Sequence, residues 1–186
     1  MPMLRCPQMA SASDIRLIVS DVDGVWTDGR IIYAGERTEI KEFNVRDGLG
    51  VKLAQRAGIV VALLTSRRSL ALEKRAKELG IIEVHQGAAN KLEELERLVQ
   101  KLAVPFANIL YAGDDLPDLA SMSRVAISAA PSDAASEVLD AATWKLEAAG
   151  GRGAFREIVE RLLRERGEWE SLIRELTLGK SEASSI

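Results

Sequence analysis

A single cysteine, Cys6, rules out an internal disulfide, and so sparse a cysteine content fits a reducing compartment. No apolar stretch reaches the length of a membrane span. The opening "MPMLRCPQMASASD" carries no hydrophobic core with a cleavage-like site behind it, so no secretory signal is read and a cytoplasmic location is expected. An excess of one charge is missing too. Lys and Arg number 25 against 28 Asp and Glu, which gives −3 with the one histidine neutral. That balance offers no electrostatic case for binding nucleic acid. Internal repeats and low-complexity linkers are also lacking.

What is present is a chain of 186 residues, 47% hydrophobic and 28% charged, enough for one well-packed domain and too short for two comfortable ones. The expected layout is an N-terminal extension over 1–14, one domain over 15–178 and a flexible C-terminal tail over 179–186. Short β-branched runs alternate with helical patterns, as parallel βα units require. Strands are predicted at 15–20, 59–65, 81–85, 108–113 and 125–129, with an edge strand at 142–146. They are apolar without alternation, as strands covered on both faces should be. Ser69 is expected to cap a helix over 70–79 that Gly80 ends, and Asn90 to cap one over 91–104. A further helix runs from near Gly48 to Gly58. The segment "GRIIYAGERTEIKEF" (29–43) breaks this rhythm and reads as a projecting β-hairpin. The stretch from Gly150 onward reads as one long amphipathic helix or a helix pair.

In an open parallel sheet, ligands bind beyond the carboxyl ends of the strands. Asp21 and Asp23 follow the first strand, Thr65 ends the second, and Lys91 opens the helix after the third. Asp114 and Asp115, with Asp118 beyond, follow the fourth. Close carboxylates where water is partly excluded require a cation, and oxygen-only ligands suit a hard divalent ion, magnesium first. A cation, an ammonium and a hydroxyl around one carboxylate favour phosphoryl transfer. Asp21 is then the expected nucleophile and Asp23 the general acid and base. Thr65 and Lys91 hold the transferring oxygens, Asp114 shares the metal with Asp21, and Asp115 lies in or just behind the metal shell. Taken singly, each signal has a plain structural origin. A D-x-D is common, Thr65 is a strand end, Lys91 a solvated helix start, and "GDDLPD" an acidic helix N-terminus. Together, in this order at successive strand ends, they form one constellation.

These residues resemble the four motifs of the haloacid dehalogenase superfamily: "DVDGVWTDG", Thr65, Lys91 and "GDDLPD". The resemblance implies an α/β fold, a Rossmann-like three-layer sandwich with a mainly parallel sheet. The hairpin and one helix fill the interval from Asp23 to Thr65, and one helix and one strand that from Thr65 to Lys91. No room is left for a cap domain. Capless members include the 3-deoxy-D-manno-octulosonate 8-phosphate (KDO 8-phosphate) phosphatases, to which "KEFNVRDGLG", "HQGAANK", "GDDLPD" and "GGRGAFRE" are similar. That resemblance implies magnesium on the Asp21 and Asp114 side chains and the Asp23 carbonyl. It also implies a homotetramer with sites near subunit interfaces, and work in lipopolysaccharide precursor synthesis. Substrate contacts are implied for Asp23, Asn44, Val45, Arg46, Asp47, Gly48, Lys52, Arg67, Arg75 and Lys91. Cationic Arg46, Arg67 and Arg75 would suit the carboxylate of a sugar acid, although Arg75 also fits a solvated helix face.

Two residues depart from the family pattern, Ser66 where glycine is usual and Trp26 where leucine is common. Trp26 is expected to be a core or interface aromatic, or else to shape substrate access. "GGRGAFRE" reads as a loop opening the last helical region, or as a ligand contact through Arg152 and backbone amides. His85 is expected to be structural, since the chemistry already has its base. Other readings remain open: a phosphatase for the nine-carbon 2-keto-3-deoxynonulosonate 9-phosphate, a phospho-accepting signalling receiver, or a non-catalytic assembly domain. The order of the carboxylates, with the second pair after the lysine, separates this chain from receivers.

Overall fold

The computed structural model of the protein describes residues 11–35 and 39–178; Cys6 and the expected tail lie outside them. Six parallel strands form the main sheet in the order β5-β4-β1-β6-β7-β8. They are β1 (Leu17–Ser20), β4 (Val60–Thr65), β5 (Glu83–Gln86), β6 (Ile109–Ala112), β7 (Ile127–Ala130) and β8 (Trp144–Lys145). Each lies within or one residue beyond its predicted run. The chain steps outward from β1 to β4 and β5, then returns to pair β6 on the other side of β1. Leu17 pairs with Val60 on one flank and with Ile109 on the other. The order reverses beside β1, which places a crevice at its carboxyl end.

Both faces of the sheet are covered, which is why the strands read as unbroken apolar runs. Ile18, Leu63 and Leu110 point into a core shared with α1 (Val45–Arg56), α2 (Leu70–Leu79), α6 (Ala154–Glu165) and α7 (Trp169–Thr177). Leu17, Val19, Leu64 and Tyr111 point the other way, against α3 (Lys91–Leu102), α4 (Leu119–Met122) and α5 (Ser136–Ala141). The C-terminal stretch is therefore a helix pair. None of the described helices is long and apolar enough to cross a membrane. The expected hairpin is present as β2 (Ile32–Tyr33) antiparallel to β3 (Glu39–Ile40). No cap domain occurs among the described residues.

The helix signals are met in part. Asn90 caps α3, its side chain accepting from the Leu92 and Glu93 N–H groups, and Asn44 caps α1 by accepting from Arg46 N–H. Ser69 precedes α2 but makes no side-chain cap. Its own N–H instead donates to Gln86 Oε1 at 2.6 Å, which turns the helix start toward β5. Trp26 is a core residue. Its ring lies 4.5 Å from that of Phe155, and its Nε1 donates to Ser20 Oγ at 2.9 Å.

Asp47, expected at the substrate, lies instead inside the joint between α1 and α6. It is fully buried, and its Oδ1 accepts the Arg156 N–H at 2.8 Å while Oδ2 has no partner. Burial raises its pKa from 3.8 to about 6, against the pull of the Arg156 N–H and the Arg156 and Arg75 guanidiniums. Because the folded state holds this proton more tightly, Asp47 removes stability as pH rises through that window. Asp47→Asn keeps the Oδ1 acceptor and removes the buried charge. Its unfolding free energy relative to the parent protein is expected to grow by about 2–3 kcal/mol from acid to neutral pH. Denaturant titrations at several pH values would check this; a pH-independent difference would reject it.

Candidate active site

The carboxyl end of β1 delivers Asp21 into a crevice walled by β4 and β6. Its N–H donates to Ala112 O at 2.8 Å, continuing the ladder with β6 one residue past the strand. The next turn lets Asp114 approach. Gly24 has φ +98°, and a Cβ there would collide with the Asp114 carboxylate, so only glycine fits. Behind this turn, a Cβ on Gly150 would strike Gly24 O, while Gly151 N–H donates to Val25 O at 3.0 Å. The glycine-rich loop thus braces the Asp21 turn, backbone against backbone.

Asp21, Asp23, Thr65, Ser66, Arg67, Lys91, Asp114, Asp115 and Asp118 share an open cleft of about 290 Å³. Lys91 is its fixed cation, with Nζ 2.9 Å from Asp21 Oδ1 and 2.7 Å from Asp118 Oδ1. Burial alone would depress this ammonium, but Asp21 and Asp118 reverse the effect and raise its pKa. Asp118 is fully buried and takes further hydrogen bonds from Tyr111 OH at 2.7 Å and the Asp114 N–H at 3.3 Å. Burial and Asp118 push the Tyr111 hydroxyl pKa well up, so it stays a donor. Thr65 Oγ1 donates to Asp23 Oδ2 at 3.3 Å and accepts the Arg67 N–H at 3.2 Å.

Two carboxylates here are ill at ease as charges. Burial raises Asp21 to about 6 despite Lys91, and burial followed by the Asp21 charge raises Asp114 to about 8. Oxygens of Asp21, Asp114 and Asp118 lie within 4.8 Å of one another. Asp118 is already engaged by Lys91 and Tyr111, which leaves Asp21 and Asp114 as the available pair. An all-oxygen donor set with strained negative charge fits a hard divalent cation. Asp115 is exposed, and its carboxylate accepts the Leu116 N–H at 2.8 Å in a capping box with Asp118.

Of the other expected contacts, only Arg67 lines this cleft. Lys52 Nζ donates to Leu79 O at 2.6 Å and so caps the end of α2. Arg75 covers Gly48, where a Cβ would meet its guanidinium, and its Nη1 lies 3.3 Å from Glu78. Val45 and Arg46 are exposed at the start of α1. Asn44 borders a neighbouring cleft of about 240 Å³ with Asp28, Glu42, Phe43, Gly151 and Arg152. A larger hollow of about 360 Å³ lies beside His85, Arg68 and Arg97. Its histidine and Arg97 are engaged within the fold: His85 bridges Glu94 at 2.7 Å and Glu83 at 3.1 Å, and Arg97 pairs with Glu94 at 2.7 Å.

Residues not singled out in the sequence complete the mouth of the cleft. Lys41, just past β3, places Nζ on Asp23 Oδ1 and 3.1 Å from Glu39 Oε1. The other Glu39 oxygen accepts from Arg67 Nη2 at 3.0 Å. The alternating "EIK" of the hairpin arm puts Glu39 and Lys41 on one side, which was the available signal; which way that side faces was not.

Comparison with known proteins agrees with this architecture. Residues 61–153 match the haloacid dehalogenase-like hydrolase family. The 3-deoxy-D-manno-octulosonate 8-phosphate phosphatase of Salmonella typhi is 42% identical over 160 residues, spanning 86% of this chain and 85% of that protein. The crystal structure of the corresponding Yersinia pestis phosphatase superposes with TM-score 0.83 at 40% identity, over 86% of each chain. That of the Moraxella catarrhalis enzyme, in complex with magnesium, phosphate and KDO, gives TM-score 0.86 at 36% identity, over 89% of this chain and 95% of that one. With such identity sustained along most of its length, the chain belongs to the 3-deoxy-D-manno-octulosonate 8-phosphate phosphatase family of haloacid dehalogenase-like hydrolases.

Proposed function

We propose that the protein is a magnesium-dependent phosphomonoesterase that hydrolyses KDO 8-phosphate to KDO and phosphate, as its relatives' names describe. The observation that carries this reading is the Asp21 carboxylate held by Lys91 beside Asp114, with Asp23 at the same strand end. In the first step an Asp21 oxygen attacks phosphorus, the ester P–O bond breaks, and Asp23 gives its proton to the departing alkoxide. In the second, water attacks the aspartyl phosphate, Asp23 takes the water proton, and the P–O bond to Asp21 breaks. Lys91 and Thr65 hold the non-bridging oxygens, where Lys91 offsets developing negative charge. Asp21 and Asp114, with the Asp23 carbonyl, are the residues that would hold magnesium. When bound, the ion supplies charge neutralisation at the phosphoryl oxygens.

A homotetramer and a cytoplasmic place in lipopolysaccharide precursor synthesis belong to the same reading. The hairpin exposes Ile31, Ile32, Tyr33 and Ile40, an apolar surface that a second subunit would cover. Arg46 and Val45, exposed at the start of α1, would then meet substrate from across such an interface. Sedimentation with the hairpin residues replaced by polar ones tests the assembly.

The function is tested by phosphate release from KDO 8-phosphate, its nine-carbon analogue and common sugar phosphates. Selective hydrolysis of the first is expected; preference for the nine-carbon compound would reassign the substrate and keep the chemistry. Asp21→Asn is expected to lower kcat by at least ~10³-fold. Because burial already disfavours the Asp21 charge, its thermal midpoint should match or exceed the parent's. Retained turnover would remove Asp21 as nucleophile. Chelation should abolish activity and magnesium restore it. Since burial and the Asp21 charge push Asp114 up to about 8, magnesium binding at neutral pH should release protons and tighten as pH rises. Calorimetry in buffers of different ionisation enthalpy would detect this, and pH-independent affinity would contradict it.

A further inference from the structure

The hairpin arm reaches into the cleft through one side chain whose placement neither packing nor solvation explains. The Lys41 side chain is 2% exposed, yet it directly follows a two-stranded ribbon that shows Ile32, Tyr33 and Ile40 to solvent. An ammonium so withdrawn from water needs anionic partners, and it has two, Asp23 and Glu39. The Asp23 carboxylate is consequently held at both oxygens, by Lys41 at Oδ1 and by the Thr65 hydroxyl at Oδ2. Glu39 is in turn anchored by Arg67 from the end of β4. The chain Asp23, Lys41, Glu39, Arg67 returns to Asp23 through Thr65, whose Oγ1 accepts the Arg67 N–H and donates to Asp23 Oδ2, so the ring across the mouth of the cleft joins two hairpin residues to three at the strand ends.

We infer that Lys41 is a positioning residue that fixes the carboxylate plane of Asp23 for proton transfer, so that the hairpin sets the geometry of the acid and base. This rests on the phosphatase reading above. Asp23 serves both half-reactions from one pose, since the water that cleaves the aspartyl phosphate enters where the alkoxide left. A carboxylate held at one oxygen only can rotate out of line, and proton transfer is sensitive to such misalignment. Substrate leaving groups separate the two half-reactions. An alkoxide needs a proton as it departs, whereas 4-nitrophenolate leaves without one. Loss of Lys41 should therefore spare formation of the aspartyl phosphate from 4-nitrophenyl phosphate and slow only its hydrolysis.

The experiment is rapid-quench and steady-state kinetics on the parent protein, Lys41→Met and Lys41→Arg, with KDO 8-phosphate and 4-nitrophenyl phosphate. For Lys41→Met, steady-state phosphate release is expected to fall by ~10²-fold with both substrates. The aryl substrate should give a burst approaching one nitrophenolate per subunit, with phosphoenzyme accumulating. Lys41→Arg keeps a cation in shifted register, and should show the same burst with a smaller loss. Should Lys41→Met fail to fold, the Arg variant carries the test alone. Phosphoenzyme formation and release falling in equal proportion would mean a structural role and overturn the inference. Rates within about threefold of the parent in both variants would overturn it as well. A parent protein that hydrolyses neither substrate would instead remove the phosphatase reading, and this inference with it.

Discussion

Burying carboxylates beside one another is the constraint on which the rest of the site depends. Asp21 and Asp114 both resist ionisation where they stand, and Lys91 is the one ammonium within reach of Asp21 and Asp118 among the described residues. Its charge is held in place by Asp118, which is pinned in turn by Tyr111 and two backbone N–H groups. The result is a lysine held by the protein's own groups, and a pair of oxygens still short of positive charge. Such a site is arranged to receive both a cation and a phosphoryl group. The deficit is present before either arrives, so little reorganisation is needed when they do.

The sheet order explains why these groups meet. β1 lies between β4 and β6, so residues far apart in sequence leave adjacent strands at the same edge. The helices do more than cover the faces. α3 begins at Lys91 itself, so the Asn90 cap that starts the helix also sets the lysine. The α1–α6 joint, with Asp47 at its centre, holds the segment before α1 against the glycine-rich loop, and Asn44 Nδ2 reaches Gly151 O at 3.4 Å. Stability and site geometry are therefore maintained by the same contacts on that side of the molecule.

Strands and the carboxylates of the candidate site were legible in the sequence because each has a local signature. An apolar run ending in Asp21 or Thr65 states both the strand and the edge at which it stops. Asp47, Lys52 and Arg75 were not legible in this way. They sit on helices where a polar residue serves a joint, an end cap or a surface equally well, and only tertiary packing decides among these. In the isolated chain packing gave Asp47 to α6, Lys52 to the last carbonyl of α2, and Arg75 to the surface over Gly48. Lys41 failed for the opposite reason. Its pattern on the hairpin was visible, but the fold-back that brings it to Asp23 is a long-range event with no local mark. Ser69 shows the limit of a cap signal: the residue type was right, yet the hydrogen bond went from its backbone to Gln86.

The Gly24 turn leaves no space for a side chain on either flank: a Cβ on Gly150 would strike Gly24 O, and one on Gly24 would strike the Asp114 carboxylate. A loop fastened in that way has no adjustable parts. A side chain at either glycine would push the turn that carries Asp21 out of place. What the cleft admits is left to the borders made of side chains, Lys41 and Glu39 of the hairpin arm and Arg67 after β4. Substitution there can reshape the opening while the Asp21 turn keeps its place.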